Sequence, residues 1–256
     1  MKIRFLGAHN RETKDSRLVS LLVDDVLALD AGSLSSSLSL EAQYKIKAVL
    51  LTHQHYDHIR GIPALAMNLF LGGAATTIYS IPEALTVLGN NLMNEVIYPD
   101  FRQKPPERPA ISFSVIEPNR VQRILDYEVL AVPVRHSVPT VGYQLTSADG
   151  KSFFYAADTG PGLAECWEYV SPQLLVIEVT ASNKYTEWMV GGGHLTPSLL
   201  SRELEDFRKL KGYLPRVVIV HMNPPLEKDI AAEVAKVAKA LGASITLARE
   251  GMEINL

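Results

Sequence analysis

Four residues able to ligate a metal fall within a stretch of six, His53-Gln54-His55-Tyr56-Asp57-His58. Imidazole and carboxylate are the ligands borderline divalent metals favour, and crowding them together without an ion is costly. The cluster directly follows an apolar run, Lys47-Ala48-Val49-Leu50-Leu51-Thr52. The arrangement then recurs: residues 132–135 lead into His136, residues 153–157 into Asp158, and residues 217–220 into His221. Functional groups collect at strand ends because a rigid scaffold holds them there. The chemistry such a set suits is metal binding, and a bound divalent ion lowers the pKa of water to about 7. The chain has one cysteine, Cys166, which excludes an internal disulfide framework and any cysteine-rich zinc module. Metal ions must therefore be held by His, Asp and Glu.

A further histidine, His194, stands in Gly191-Gly192-Gly193-His194-Leu195-Thr196-Pro197. Glycines ahead of a helix N-terminus suit an anion, and a histidine beside a bound phosphate suits protonation of a leaving oxygen. Glu178, at the end of residues 174–177, is placed to orient that imidazole. His9 follows in no such pattern and reads as a solvated residue of the polar stretch 8–15; Arg11 and Lys14 there could face an anionic substrate.

The elements that must position these groups are legible as short apolar runs. Residues 19–23, 26–29, 48–51, 111–116, 129–134, 153–157, 174–179 and 217–220 predict strands. Asp24-Asp25 between the first two predicts a tight hairpin. Thr196 as N-cap, Pro197 at the first helical position, an apolar stripe of Leu200, Leu204, Phe207 and Leu210, and Gly212 as terminator predict one helix. Ile230, Val234, Val237 and Leu241, closed by Gly242, predict another. The Ser-rich residues 33–39 read as a loop leading into a short helix. Hairpins early and strand–helix alternation later point to sheets covered by helices.

At 256 residues, 47% of them hydrophobic and with a net charge of −3, the chain is expected to fold as a single domain over 1–256. The Pro-rich loop at residues 104–109 is the best place for a boundary, which loops of that length do not require. The composition excludes a disordered chain and a globally basic nucleic-acid binder. The uncharged residues 61–82 are long enough for a membrane span, but Pro63, Asn68, Gly72 and Gly73 divide them into a buried helix, a Gly-Gly turn and a strand. With no leader or membrane segment in view, a cytoplasmic location is expected. The apolar face of residues 61–71 reads as core; exposed, it would serve a homodimer.

The pattern His53-x-His55-x-Asp57-His58, His136, Asp158, His221 resembles the metallo-β-lactamase superfamily, in order and spacing over the whole chain. The resemblance implies a four-layer αβ/βα sandwich of two mixed sheets with outer helices. It implies two divalent metal ions: one on His53, His55 and His136, the other on Asp57, His58 and His221, with Asp158 bridging. Relatives that reduce oxygen at a di-iron site carry Glu where this chain has His55, so zinc and hydrolysis are implied, though similar sites accept manganese or iron. Such a centre keeps a net positive charge, attracts an anion, and attacks through a metal-bridging hydroxide.

Glu178 ahead of the Gly193-His194-Leu195-Thr196 segment resembles the phosphodiesterase branches, among them the tRNA 3′-processing endonucleases. Those commonly carry a tRNA-clamping arm between the third and fourth motifs, for which residues 137–157 leave no room. Three segments are more similar to the class II cyclic-nucleotide phosphodiesterases: Leu29-Asp30-Ala31-Gly32-Ser33; residues 91–101, with Met93 and Tyr98 as departures; and Gly193-His194-Leu195-Thr196-Pro197. Tyr98 and Phe101 read as core aromatics. The implied function is hydrolysis of a small anionic phosphodiester, a 3′,5′-cyclic nucleotide, with Asp57, His194 and Glu178 as catalytic candidates. The rivals are a tRNA-processing endonuclease acting on nucleic acid, a thioester or lactone hydrolase of the same fold, and a non-enzymatic protein retaining the metal cage.

Overall fold

The computed structural model describes all 256 residues. The chain divides into two compact units. The first comprises Met1–Gly7, Arg17–Glu117 and Glu250–Leu256; the second comprises Ala8–Ser16 and Pro118–Arg249. The loop at 104–109 thus lies inside the first unit, and the chain passes between units after Glu117 instead.

The first unit holds a seven-stranded sheet of β1 (Lys2–Gly7), β2 (Ser20–Val23), β3 (Leu27–Leu29), β4 (Ala48–Leu50), β5 (Thr76–Ser80), β6 (Ile111–Val115) and β14 (Glu253–Asn255), ordered β14-β1-β2-β3-β4-β5-β6. The β2–β3 hairpin turns through Asp24 and Asp25 with φ of 46° and 61°. Two consecutive left-handed residues make the turn whose twist matches paired strands. From β3 to β6 the strands run parallel, which requires helical crossovers. The crossover after β4 includes the helix Ile62–Leu71, with Pro63 in its first turn and the chain turning out at Gly73, whose φ is 66°. Its Ile62, Leu65, Ala66 and Leu69 fall on one face and join the unit's core cluster with Ile78, Leu88 and Phe101. Residues 61–82 are therefore core helix, turn and strand, and no helix of the chain is long and apolar enough to cross a membrane. Phe101 is fully buried and Tyr98 packs against the same cluster.

The second unit holds β7 (Val121–Ile124), β8 (Tyr127–Val134), β9 (Thr140–Ser147), β10 (Ser152–Tyr155), β11 (Leu174–Glu178), β12 (Arg216–Val220) and β13 (Ile245–Leu247), ordered β13-β12-β11-β10-β9-β8-β7. β8 and β10 are each antiparallel to β9, and β10, β11 and β12 are mutually parallel. Four strands therefore end at one edge of the sheet, the edge from which Arg135, Asp158, Thr180 and His221 depart. The helices Pro197–Lys211 and Glu227–Leu241 terminate on left-handed Gly212 and Gly242. Thr196 occupies the N-cap position of the first of these, but its side chain makes no capping bond. Pro197 already removes one of the orphan donors, and the Thr196 hydroxyl lies 3.2 Å from both Thr186 Oγ1 and Ser198 Oγ.

Two further departures concern sequence neighbours of the site. Residues 191–193 are not a glycine loop: Gly191 and Gly192 end the helix Thr186–Gly192, and Gly193 closes it at φ 74°. His9 is not solvated. It is 5% exposed, forms a parallel bridge with Met222, and its Nε2 lies 3.3 Å from Glu227 Oε2. Backbone bonds from Met222 to Ala8 and from Asn10 to Met222 tie this segment beside the end of β12.

Candidate metal centre

In the first unit the site begins where β3 and β4 end. Asp30 follows β3 with φ 54°, is fully buried, and its N–H bonds to Leu50 O. Thr52 and His53 follow β4. Asp30 Oδ1 accepts from the Thr52 N–H at 2.9 Å, and the Thr52 hydroxyl lies 3.0 Å from Oδ2. His58 Nδ1 lies 2.7 Å from Asp30 Oδ2. A carboxylate only accepts, so His58 carries its proton on Nδ1 and presents the Nε2 lone pair. The Thr52 hydroxyl gives its proton to Asp30 and accepts from His53 Nδ1 at 2.9 Å, which fixes the same tautomer in His53. His55 forms the N-cap of the short helix Tyr56–Ile59 that carries Asp57 and His58. His53 Nε2 and His55 Nδ1 are 3.0 Å apart, and Asp57 Oδ2 lies 3.6 Å from His58 Nε2. A Cβ on Gly32 would stand 2.1 Å from the Asp57 carbonyl oxygen, so only glycine lets this turn approach the β3 end.

The second unit repeats the logic. His136 follows β8, and its Nδ1 donates to Gly193 O at 2.9 Å. Burial holds the His136 imidazole below its ordinary pKa, against the pull of Asp158, which keeps it neutral as a metal ligand must be. Asp158 is reached through Ala157 at φ 57°, and His221 itself has φ 60°. Left-handed non-glycine residues are uncommon and gather at functional sites. His221 Nε2 lies 3.1 Å from Asp158 Oδ2, and His136 Nε2 lies 4.0 Å from it.

Glu178 is fully buried at the end of β11 and saturates both oxygens. Oε1 accepts from the Thr159 N–H at 3.0 Å and from His194 Nδ1 at 2.6 Å. Oε2 accepts from the Thr180 hydroxyl at 2.7 Å and from the Leu195 N–H at 3.2 Å. Thr180, its proton so committed, accepts from His221 Nδ1 at 2.8 Å. His194 is therefore held through Nδ1, which leaves Nε2 as its other functional nitrogen. Its ring stacks on His221 at 5.3 Å and 15°, stands edge-on to His136 at 4.9 Å, and its side chain is 19% exposed. Ligand atoms of His136, Asp158 and His194 lie within 4.8 Å of one another, as do those of Glu178, His194 and His221.

The donor set fits divalent ions. Imidazoles are pinned through Nδ1 to carboxylate, hydroxyl or carbonyl acceptors, the arrangement that orients metal-binding histidines and raises their basicity. Each sequence-predicted residue stands with its fellows in its own unit: His53, His55, Asp57 and His58 in the first; His136, Asp158, Glu178, His194 and His221 in the second. Sequence reasoning missed Asp30, Thr52 and Thr180 as supports of the ligands. The signal for Asp30 was present in Leu29-Asp30-Ala31-Gly32, an acid closing an apolar strand, the same cue that marked Asp158.

Residues 21–246 match the family described as β-lactamase superfamily domain. Ribonuclease Z of Acaryochloris marina is 25% identical over 163 residues, covering 58% of this chain and 48% of that protein. The chain thus spans about half the length of that curated relative. Among solved structures, unliganded yeast PDE1 superposes with a TM-score of 0.85 at 18% identity, over 100% of this chain and 99% of that one. The short form of human tRNase Z superposes with a TM-score of 0.72 at 18% identity, over 100% and 99%. Two mixed seven-stranded sheets flanked by helices are the αβ/βα architecture expected from the ligand pattern. The chain belongs to the metallo-β-lactamase superfamily of metal-dependent hydrolases.

Proposed function

We propose that this protein is a dinuclear metal-dependent phosphodiesterase whose single catalytic domain is the whole of residues 1–256. In this reading His53, His55 and His136 hold one divalent ion, Asp57, His58 and His221 a second, and Asp158 is shared; zinc is the expected metal. Bound there, such ions lower the pKa of water and neutralise charge on a phosphoryl group.

The observation that carries the reading is the Glu178–His194 pair. Glu178 holds His194 by Nδ1 at 2.6 Å, and the His194 side chain is partly exposed. As the imidazolium, with its charge balanced by Glu178, a histidine so held and packed against His136 and His221 suits delivery of its Nε2 proton to a departing alkoxide. A thioester expels a thiolate, a far better leaving group than an alkoxide, and has less need of a histidine held this way. The carboxylate also ties down Thr159, next to Asp158, and Leu195, next to His194. One buried group thereby sets the positions of an acid and of two metal-ligand segments.

A 3′,5′-cyclic nucleotide is the proposed substrate, from the three segments similar to class II cyclic-nucleotide phosphodiesterases. Residues 137–157 fold into β9 and β10, which leaves no clamp there for a folded RNA. The second reading, cleavage of tRNA precursors, is favoured by the likeness to ribonuclease Z. A hydrolysis panel separates them: 3′,5′- and 2′,3′-cyclic nucleotides, an aryl phosphodiester, a thioester and a tRNA precursor. Activity on cyclic nucleotides that disappears on chelation and returns with zinc or manganese is the expected result. Full activity after metal stripping overturns the metallohydrolase reading, and turnover of the thioester alone overturns the phosphodiester one.

A further inference from the structure

His194 forms part of the wall of a cavity of about 520 Å³ in the second unit. That volume is of the size that holds small molecules, about 300–1,000 Å³. Three features of its lining exceed what phosphodiester hydrolysis needs. Trp188 is 73% exposed, so it contributes little to any core. Asn10 and Asn223 both line the cavity, and the amide oxygen of each is buried without a hydrogen-bond partner. Buried amides are costly when unsatisfied, and these oxygens lose no hydrogen bond if the amide rotates toward a ligand. Arg11 is the only permanently charged residue of the lining.

A flat aromatic face, two carboxamides and one cation define a narrow class of ligand. Carboxamides offer a donor and an acceptor in one plane, the complement of a heterocycle edge. An exposed indole stacks on any base because every base has a π-face. The guanidinium suits an anion. An aliphatic ligand would use neither amide, and a peptide would not need the stacking face.

We propose that this cavity is a nucleobase subsite. Trp188 stacks on the base, Asn10 and Asn223 read its polar edge, and Arg11 attracts the nucleotide's charge, with the phosphate at the His194 wall. The assignment rests on the phosphodiester reading of His194, which sets where the phosphate lies. The base belongs either to a free nucleotide or to the end of an RNA chain, and the subsite serves both.

Calorimetric titration of the zinc-loaded protein with guanosine and adenosine 5′-monophosphates, and with ribose 5-phosphate as base-free control, tests it. The expected result is nucleotide binding about tenfold tighter than that of ribose 5-phosphate. Trp188→Ala erases the difference and Trp188→Phe restores most of it, with unchanged far-ultraviolet dichroism. Asn223→Ala weakens the nucleotide and leaves ribose 5-phosphate unaffected. A short oligoribonucleotide competing more tightly than the mononucleotide assigns the base to an RNA end; the reverse order assigns it to a free nucleotide. Equal binding of nucleotide and sugar phosphate, or a preference that survives Trp188→Ala, overturns the subsite. Base-dependent binding in a protein that hydrolyses no phosphodiester overturns the catalytic reading alone, and hydrolysis without base preference overturns the subsite alone.

Discussion

Asp30 in the first unit and Glu178 in the second are built alike. Each is fully buried at the end of a parallel strand, holds one histidine directly, and holds a second through a threonine hydroxyl. Asp30 holds His58 and, through Thr52, His53; Glu178 holds His194 and, through Thr180, His221. The difference lies in what the directly held ring can meet. His58 is sealed, with its side chain 0% exposed, whereas that of His194 is 19% exposed and lines a cavity. Under the proposed function the same relay serves two purposes. Where the ring is sealed it can only fix a ligand; where the ring is open it can also pass a proton.

Metal content and turnover are the measurements that break this comparison most sharply. His194→Ala is expected to lower kcat by about 10²–10⁴ while bound metal per chain, read by elemental analysis, stays constant. Loss of metal in that variant would make His194 a ligand and remove the distinction. Glu178→Gln should lower kcat in the same direction and, because Glu178 also holds His221 through Thr180, weaken metal binding; at saturating metal the double variant with His194→Ala should cost little more in kcat than His194→Ala alone. Asp30→Asn should instead act on metal: affinity falls by about 10–100-fold, and activity recovers at high metal concentration. A kcat defect that persists at saturating metal would contradict a purely supporting part for Asp30.

Smaller effects rank the two threonines. Thr52→Val and Thr180→Val each remove one donor from a buried carboxylate, at a cost of about 1–3 kcal/mol in urea unfolding. Thr52→Val should be the more destabilising, since Asp30, Thr52 and His58 are all fully buried, whereas the relay through Glu178 and Thr180 reaches the partly exposed His194. The reverse order would show that burial of the relay is not what separates them. The smallest effect expected is at Cys166, whose thiol is pushed up to about 12 by burial. It should resist thiol reagents at pH 8 in the folded protein and react on unfolding; rapid labelling of the native protein would show that its helix, Ala164–Tyr169, opens.

Much of the scaffold was legible because buried parallel strands are continuous apolar runs. β4, β10, β11 and β12 stand where residues 48–51, 153–157, 174–179 and 217–220 predicted them, within a residue or two at each end. β7 and β13 escaped because sheet edges do not need apolar sequence: Val121-Gln122-Arg123-Ile124 is mostly solvated, and β13 is three residues long. β9 escaped because Gly142 and polar residues interrupt its apolar pattern. Ala8–Ser16 escaped for a different reason. It is polar, yet it pairs with Met222 and joins the second unit while both flanks join the first.

The sequence by itself determined which atoms could ligate metal and at which strand ends they stand, because ligand chemistry resides in residue type and strand ends follow from hydrophobic runs. It equally excluded a cysteine-rich metal module, since the chain has one cysteine, Cys166. Only the tertiary structure decided which nitrogen each imidazole presents, because the tautomer depends on an acceptor brought from a distant strand: Asp30 for His58, Gly193 for His136, Thr180 for His221. It also decided that Asn10 and Asn223, more than two hundred positions apart, line one cavity with Trp188. No local pattern encodes that meeting, because it is made by the bridge between His9 and Met222.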